Sequence, residues 1–476
     1  MKNEKMYDAV TDIRDDLVER ADRHRFAQQT SRRRWTAALA AVLALVLVAG
    51  ALLLPGGHSV VTARAIAAPD YPETVPYPVM EDFTDAEGNV DQRGYMNAVM
   101  SWADARQTVT PDLSGLQAFT AASASAFFGD TDGTNVSYSP VNVYLALGML
   151  SEVTGGSSRA QILDALGADS VESLRAQAHN LWNACYRDDG AVSSILASSL
   201  WLSDAIDYND DTLRALADHY YAASFTGTMG SDEYNALMTD WVREQTGGLL
   251  DAPARLDPQT VLALATTVQF RARWAEPFLP EDTAPAVFHG SRGDSEVPFL
   301  HGSEVGPYFE GSAFGAVRQD LNNGAMYFLL PQEGTSPEQL LQNPEVAEFL
   351  FAGDRWPHTT GAILNKSIPK FDLSSELSLT DGLRALGITD VFDPACADCS
   401  PMAENADGVF LSGAEHNVRV AIDEEGVSAA AVTTLTMAGA GFTDQVVDFV
   451  LDRPFVFAIT NEAGLPLFLG VVNQIP

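Results

Sequence analysis

Three short motifs in this sequence contain residue types that could carry out chemistry. Ser367 and Lys370 have the S-x-x-K spacing of a serine nucleophile with its lysine base, but the proline between them disfavours the helix that such a pair requires. Cys396 and Cys399 have C-x-x-C spacing without a second Cys or His pair, which favours a local disulfide or two free thiols over a metal site. Residues 292–294 read Arg-Gly-Asp, an adhesion tripeptide that also arises by chance, and a surface turn is the better interpretation. We therefore expect no catalytic group, no metal and no cofactor, and predict that the protein is not an enzyme.

The segment with the most unusual composition covers residues 426–443 and reads GVSAAAVTTLTMAGAGFT. It has no charge and no proline, although three acidic residues precede it and Asp444 follows it. As a strand it would carry small apolar groups on one face, and small side chains let a strand enter between existing strands without overpacking. That face would consist of Val427, Ala429, Ala431, Thr433, Leu435 and Met437. The Gly-Ala-Gly at 439–441 resembles an exposed tip, where proteases cut. Composition alone leaves three interpretations open: an insertable strand, a protease-sensitive tip and a flexible loop.

The hydrophobic spacing of the surrounding chain predicts the elements that must position this segment. Helical spacing dominates the first half and strand-like alternation the second, which predicts an α+β fold with large antiparallel or mixed sheets. The predicted helices cover residues 113–128, 140–150, 157–166, 173–186, 210–221 and 234–246. The predicted strands cover residues 261–270, 315–321, 325–330, 362–371, 417–422, 446–451, 455–460 and 467–472.

The chain is strongly acidic, with 28 Lys+Arg against 64 Asp+Glu and a formal net charge of −36. A surface with this charge repels polyanions, so nucleic acid is not expected as a partner.

An uncharged run near the N-terminus predicts a membrane helix. Residues 1–34 hold nine basic and seven acidic residues and end in three arginines, whereas residues 35–54 hold no charge. Twenty helical residues extend about 30 Å, and basic residues before a span stay inside the cell. We expect a cytoplasmic arm at 1–34, a single span at 35–54 and an extracellular remainder; a cleaved signal peptide, giving a secreted protein, is the alternative. Residues 55–111 are rich in Pro, Gly and acidic residues, which predicts a stalk, and residues 112–476 are predicted to form one domain.

An ordered set of motifs resembles those of the serpins, a family of protease inhibitors. Residues 416–431, HNVRVAIDEEGVSAAA, resemble the serpin hinge, and DRPFVF at 452–457 with LFLGVVN at 467–473 resembles the C-terminal signature. Five further motifs follow the order expected for the family: NVSYSP at 135–140, ALGMLS at 146–151, FRARW at 270–274, IPKF at 368–371 and LGITD at 386–390. The likeness extends from residue 113 to the end of the chain.

The resemblance implies a serpin-like fold and an extracellular, monomeric suicide-substrate inhibitor of serine proteases. A protease would cut within residues 426–443 and form an acyl-enzyme, and the N-terminal part of the loop would then enter a sheet as a new strand. The implied hinge consists of Glu424, Glu425, Gly426, Val427, Ser428, Ala429, Ala430 and Ala431. The implied polar and aromatic residues where the sheet opens are Ser139, Asn142, Thr266, Trp274 and His416. Val427 stands where the family often has Thr, and the polar set has altered members.

The implied reactive bond joins Ala440 and Gly441, and cuts after Met437 or Phe442 are alternatives. Alanine suits a shallow specificity pocket, and no Arg or Lys lies in residues 426–443, so elastase-like targets are favoured over trypsin-like ones. The alternative function is a non-inhibitory serpin-fold protein that binds a ligand or adheres to a surface.

Overall fold

The computed structural model describes residues 64–85, 88–106, 109–129, 131–250, 253–406, 408–411, 414–427 and 445–476. All of these belong to one compact unit of the chain. No helix within the described ranges is long and apolar enough to cross a membrane. The predicted cytoplasmic residues 1–34, the predicted span 35–54 and the loop residues 428–444 lie outside the described ranges.

Ten α-helices form in the described part of the chain, and most of them precede residue 250. Local sequence explains where several begin: the Oγ of Ser139 caps the helix that starts at Pro140, and Ser170 forms a capping box with Ser173. The helices are α1 (Gln92–Ala105), α2 (Ser114–Phe127), α3 (Pro140–Val153), α4 (Gly156–Leu166), α5 (Val171–Cys185), α6 (Asp210–Tyr220), α7 (Asp232–Gln245), α8 (Pro337–Leu341), α9 (Glu345–Ala352) and α10 (Thr380–Ala385).

Sixteen strands are present in the same ranges, and most of them follow residue 260. They are β1 (Val136–Tyr138), β2 (Arg187–Asp188), β3 (Ser193–Ser203), β4 (Ala222–Gly227), β5 (Leu262–Arg273), β6 (Ala284–Gly290), β7 (Gly293–Glu310), β8 (Phe314–Leu321), β9 (Gly324–Pro331), β10 (Thr359–Pro369), β11 (Phe371–Ser378), β12 (Glu415–Ile422), β13 (Gly426–Val427), β14 (Val446–Val450), β15 (Phe455–Thr460) and β16 (Pro466–Val472).

The strands form two sheets. A seven-stranded sheet, which we call the central sheet, has the order β11-β12-β13-β5-β3-β2, with β4 parallel to β3 at its outer side. A nine-stranded sheet has the order β1-β16-β15-β9-β8-β7-β10-β14, with β6 paired to β7. Helix α3 is almost wholly buried and contacts both β5 and β16, so it lies in the main core between the sheets.

The α+β prediction is confirmed, and the predicted helices and strands are observed with ends that differ by at most three residues. Several strands were not predicted, of which β3 is the longest in the central sheet. Nearly all of its residues are buried, so the sequence SSILASSLWLS shows no alternation of buried and exposed positions.

Residues 64–106, which we call the arm, lie within the predicted stalk 55–111. The arm packs against the rest of the unit: Ala67 pairs with Ser224, and the ring of Tyr71 lies 5.1 Å from that of Trp182. The described part of the predicted stalk is therefore held against the domain, because Tyr71 packs on Trp182 and the buried Trp102 lies against Arg187.

Candidate functional site

The residues predicted as a hinge lie where the central sheet is incomplete. Strands β12 and β5 are joined through β13, and β13 is only two residues long. Val427 of β13 lies opposite Ile422 on one side and Ala272 on the other, and its side chain is 2% exposed. The described strands thus leave a gap between β12 and β5 beyond Val427, and β13 occupies only its first two positions.

Glycine is the residue type that fits at position 426, the first position of β13. A Cβ atom built there would lie 2.3 Å from the carbonyl oxygen of Ala272 and 2.7 Å from the Cα of Arg273. Both are backbone atoms of β5, which cannot move aside without breaking the strand pairing. The close approach of β13 to β5 therefore requires glycine.

Two acidic residues before β13 hold the turn from β12 in place. The carboxylate of Glu424 accepts hydrogen bonds from Lys370 Nζ at 2.7 Å and from Thr283 Oγ1 at 2.9 Å. Partial burial alone would raise the pKa of Glu424, but the bonds from Lys370 and Thr283 outweigh it and the pKa is lowered. Glu425 forms an ion pair with Arg273 at the end of β5. The carboxylates therefore tie the hinge to both sides of the gap.

Trp274 lies at this same end of the central sheet. Its indole Nε1 donates to the carbonyl oxygen of Asp423 at 2.8 Å, and its backbone N–H donates to that of Glu425 at 3.0 Å. The side chain is buried against Phe278, whose backbone N–H donates to the Glu424 carbonyl. Trp274 thus holds the backbone of the turn that leads into β13 by two hydrogen bonds.

The predicted polar cluster lies beneath the middle of the gap. The backbone N–H of Ser139 donates to His416 Nε2 at 3.0 Å, and Ser139 Oγ accepts from the backbone N–H of Asn142. Thr266 of β5 and His416 of β12 line the same cavity of about 50 Å³. The structure therefore brings together the four polar residues that the resemblance implied.

Part of this cluster's hydrogen-bonding capacity is unused. Burial lowers the pKa of His416 to about 4, so its imidazole is neutral, and Nδ1 carries the proton because Nε2 accepts. Neither His416 Nδ1 nor the side-chain amide of Asn142 has a hydrogen-bond partner within the described ranges, although both are buried. Buried polar groups normally have partners. The cluster is therefore able to accept an additional polar group that enters from the gap.

Several site residues were not predicted. Lys370 and Thr283 complete the contacts of Glu424 but lie 54 and 141 positions away in the chain, and no spacing rule connects them. The predicted residues Ser428, Ala429, Ala430, Ala431, Met437, Ala440, Gly441 and Phe442 lie outside the described residues.

The other motifs do not assemble a catalytic centre. Ser367 Oγ lies 3.2 Å from His301 Nδ1, whereas Lys370 forms an ion pair with Glu424. The two residues of the S-x-x-K motif therefore have different partners. Cys396 is an exposed and Cys399 a buried free thiol; burial raises the pKa of Cys399 to about 11. No group of three or more potential metal ligands occurs within the described ranges.

Within the described ranges, the central sheet is joined between β12 and β5 only by the two-residue strand β13, and helices and a second, nine-stranded sheet complete an α+β fold. A family model described as "Serpin (serine protease inhibitor)" matches residues 114–475, and the chain belongs to the serpin family. The family is described by protease inhibition and not by an enzymatic reaction, so the prediction that the protein is not an enzyme is confirmed.

Curated relatives and solved structures agree with this assignment. The chain is 30% identical over 352 residues to alpha-1-antitrypsin 1-1 of Mus musculus and to alpha-1-antiproteinase of Rattus norvegicus, covering 71% of this chain and 83% of each relative. The native state of the thermophilic serpin tengpin superposes with a TM-score of 0.68 at 23% identity, covering 84% of this chain and 100% of tengpin. Thyroxine-binding globulin in complex with thyroxine superposes with a TM-score of 0.65 at 23% identity, covering 76% and 99%. At these identities the solved structures support the fold alone.

Proposed function

We propose that the protein inhibits serine proteases by inserting its cleaved loop into the gap between β12 and β5. The observation that carries this proposal is β13, because Val427 already pairs with both neighbouring strands and Gly426 pairs with β5. A strand inserted between β12 and β5 would gain backbone partners on both sides and a buried face.

The register of β13 predicts the position of each inserted loop residue. Val427 pairs with Ala272 and Ile422, so antiparallel continuation puts Ala429 opposite Phe270 and Val420, and Ala431 opposite Val268 and Val418. Directly opposed residues lie on one face of a sheet, so these alanines would face the core as Val427 does. Small side chains fit there without displacing the buried residues beside them.

If the inserted loop keeps the same register, Thr433 would lie opposite Thr266 and His416. This is the polar cluster in which His416 Nδ1 and the Asn142 amide lack partners among the described residues. The hydroxyl of Thr433 could accept a hydrogen bond from His416 Nδ1 and donate one to Asn142 Oδ1. Strand insertion would thus satisfy buried polar groups as well as form backbone hydrogen bonds.

The chemistry that precedes insertion belongs to the target protease. Its serine Oγ attacks the carbonyl carbon of the scissile residue, the peptide nitrogen leaves with a proton, and an ester joins the inhibitor to the protease. The cut frees residues 428 onward from the C-terminal part of the loop. Insertion must then outpace hydrolysis of the ester, so that the protease is held as the acyl-enzyme.

The proposed reactive bond joins Ala440 and Gly441, with Met437 and Phe442 as alternative cleavage sites. If the β13 register continues, Met437 would lie opposite Leu262, the first residue of β5, so a cut after Ala440 would leave enough chain to extend along the whole of β5. Alanine at this position and the absence of Arg and Lys from residues 426–443 favour elastase-like targets.

A mixture of the protein with a pancreatic-type elastase, separated on a denaturing gel, tests the inhibitory function. We expect a band at the summed mass that survives detergent and is absent when the elastase serine is blocked beforehand with a sulfonyl fluoride. Cleavage to a shortened chain without that band would favour the alternative, a non-inhibitory binding or adhesion protein. That alternative is considered because thyroxine-binding globulin has the same fold.

The location of the inhibitor follows from the proposed span at residues 35–54, with a monomeric inhibitor domain outside the cell. Alkaline extraction of membranes from cells that express the full chain should leave it in the pellet, and deletion of residues 35–54 should release it. An N-terminus beyond residue 54 in the mature protein would instead support a cleaved signal peptide and a secreted inhibitor.

A further inference from the structure

A lysine is buried in the nine-stranded sheet. Lys366 of β10 is 3% exposed and pairs with Gly302 of β7 on one side and with Phe449 of β14 on the other. The ring of Phe278 covers its amine, with 5.9 Å between Nζ and the ring centroid. Glycine at position 302 leaves room for this ring, because a Cβ atom there would lie 3.2 Å from Phe278 Cε1. Lysine is almost never buried to this degree without specific partners, so the contacts of its amine indicate what it does.

Two side chains from other strands contact the Lys366 amine. Oε1 of Glu304 in β7 lies 2.8 Å from Nζ and forms an ion pair with it. Gln319 of β8, itself 3% exposed, accepts a hydrogen bond from Nζ through Oε1. The other end of this amide is also held, since Nε2 donates to the carbonyl oxygen of Glu276 at 3.3 Å. The carboxamide carbon Cδ of Gln319 is bonded to Oε1 and is therefore the next atom beyond the one that the amine contacts.

The surroundings of Lys366 favour a reactive amine. Burial lowers the pKa of its ammonium group, although the negative charges of Glu304, Asp320 and Glu276 act in the opposite direction. A desolvated lysine that loses its proton has a free lone pair and is a nucleophile for carbonyl carbons. Glu304 is placed to take that proton, and its side chain is 29% exposed, which gives small products a path to water.

We propose that Lys366 and Gln319 form an intramolecular isopeptide bond in the folded protein, with Glu304 transferring the protons. The Nζ of Lys366 attacks Cδ of Gln319, a bond forms between these two atoms, and the bond from Cδ to Nε2 breaks. Two of the three protons of the lysine ammonium pass by way of Glu304 to the departing nitrogen, which leaves as an ammonium ion. The products are a neutral secondary amide and the original Glu304 carboxylate, so the step is redox-neutral and consumes no other reactant. Proximity of the three groups in a packed sheet replaces the encounter of separate molecules.

The bond would join strands at a place where the described sheet is divided. The described pairing between β7 and β8 covers only residues 308–310 and 315–317, so Glu304 and Gln319 lie beyond it. In the same sheet, the neighbours of β10 are β7 and β14. A covalent link from β10 to β8 would therefore hold two parts of the sheet together and, like a disulfide, would restrict the unfolded chain.

The site lies next to the segment that supports the hinge. The backbone N–H of Phe278 donates to the carbonyl oxygen of Glu424 at 3.0 Å, and its ring packs against Trp274. Gln319 holds the same segment through the carbonyl oxygen of Glu276. A bond between Lys366 and Gln319 would thus fix the support of the turn into β13. The inference does not depend on protease inhibition, because the bond would form without any cleavage of the loop.

Tryptic digestion of the denatured full-length protein, followed by tandem mass spectrometry, tests for this bond. Trypsin does not cleave after an acylated lysine, so we expect one species in which residues 319–355 are joined to residues 356–370. Its mass should be about 17 Da below the summed masses of the two peptides, because ammonia is lost. A wild type that gives residues 319–355, 356–366 and 367–370 as separate peptides would overturn the proposal.

Two variants at β7 test the part assigned to Glu304. Glu304→Gln keeps the shape of the side chain but removes the proton acceptor, so the bond should form about a hundredfold more slowly or not at all. Glu296→Gln, an exposed position of the same strand, should form the joined peptide as the wild type does. Linkage in Glu304→Gln as fast as in the wild type would overturn the proton transfer by Glu304. If Glu304→Gln does not fold, the digest of the wild type still decides whether the bond exists.

Discussion

Val427→Glu is the substitution that tests the proposed insertion most sharply at a described residue. The Val427 side chain is 2% exposed and lies between Ala272 and Ile422, so a carboxylate there would be buried without a cationic partner. Loss of the buried valine costs about 1.5–3 kcal/mol, and desolvation of a carboxylate costs several kcal/mol more. We expect β13 to leave the gap, and the loop to lose the first position from which insertion proceeds.

The effect on inhibition follows from the competition between insertion and hydrolysis of the acyl-enzyme. If about 2 kcal/mol of the cost enters the barrier to insertion, insertion slows about thirtyfold. The number of inhibitor molecules consumed for each protease inactivated is one plus the ratio of hydrolysis to insertion, so its excess over one should then rise about thirtyfold. Titration of elastase activity measures this number, and a denaturing gel should show cleaved chain in place of the covalent complex.

Val427→Thr is the matched control, since it keeps the shape of the side chain and adds no charge. It should inhibit with nearly the wild-type stoichiometry. Equally efficient inhibition by Val427→Glu and Val427→Thr would refute the reasoning, because a buried carboxylate should slow entry of the strand into the sheet.

Three further predictions concern other positions of the site. Ala431→Pro removes a backbone donor that an inserted strand in the β13 register would use between Val268 and Val418, so it should convert the inhibitor into a substrate, while Ala431→Ser should not. Undiminished inhibition by the proline variant would contradict insertion. Glu424→Gln loses the ion pair with Lys370 and should lower the free energy of unfolding by about 1–3 kcal/mol. The charge swap Glu424→Lys with Lys370→Glu should recover part of this loss, and an unchanged free energy of unfolding in Glu424→Gln would show that the pair contributes nothing. The pKa of His416 is depressed to about 4, so its stability contribution is full above the unfolded-state pKa of about 6.5 and is lost as the pH falls towards 4. This contribution amounts to about 3 kcal/mol by linkage. In urea unfolding, the free energy of unfolding of His416→Asn should therefore fall less than that of the wild type between pH 6.5 and about pH 4, and identical pH profiles for the two proteins would contradict this.

Local sequence was sufficient to predict most of the helices and many of the strands. The helix at Pro140 illustrates why: a serine cap, a proline in the first turn and a run of apolar residues all specify the same start within a few positions. Strand β5 was recognisable for the equivalent reason, since its buried and half-buried residues alternate over much of its length.

Contacts between distant residues could not be predicted in the same way. Glu424 was identified by resemblance, but its partners Lys370 and Thr283 follow only from the folded topology. The arm is a second case: its Pro, Gly and acidic residues resemble a stalk, and the packing of Tyr71 depends on Trp182 and Tyr186 of α5 and its C-terminal end and on Tyr221 at the end of α6. Composition describes what a segment could do alone, whereas these contacts depend on what lies beside it.

The unfolding temperature of the protein before and after cleavage of its loop tests the central claim most directly. A cut between Ala440 and Gly441 followed by insertion would add about ten backbone hydrogen bonds at about 1 kcal/mol each, which for a domain of this size corresponds to a rise of about 13 °C. Calorimetry of the intact and elastase-cleaved protein, with Ala431→Pro as the variant that cannot insert, measures this difference. The account predicts a large rise in the wild type and a small change in Ala431→Pro; an unchanged or lower unfolding temperature in cleaved wild type would contradict it.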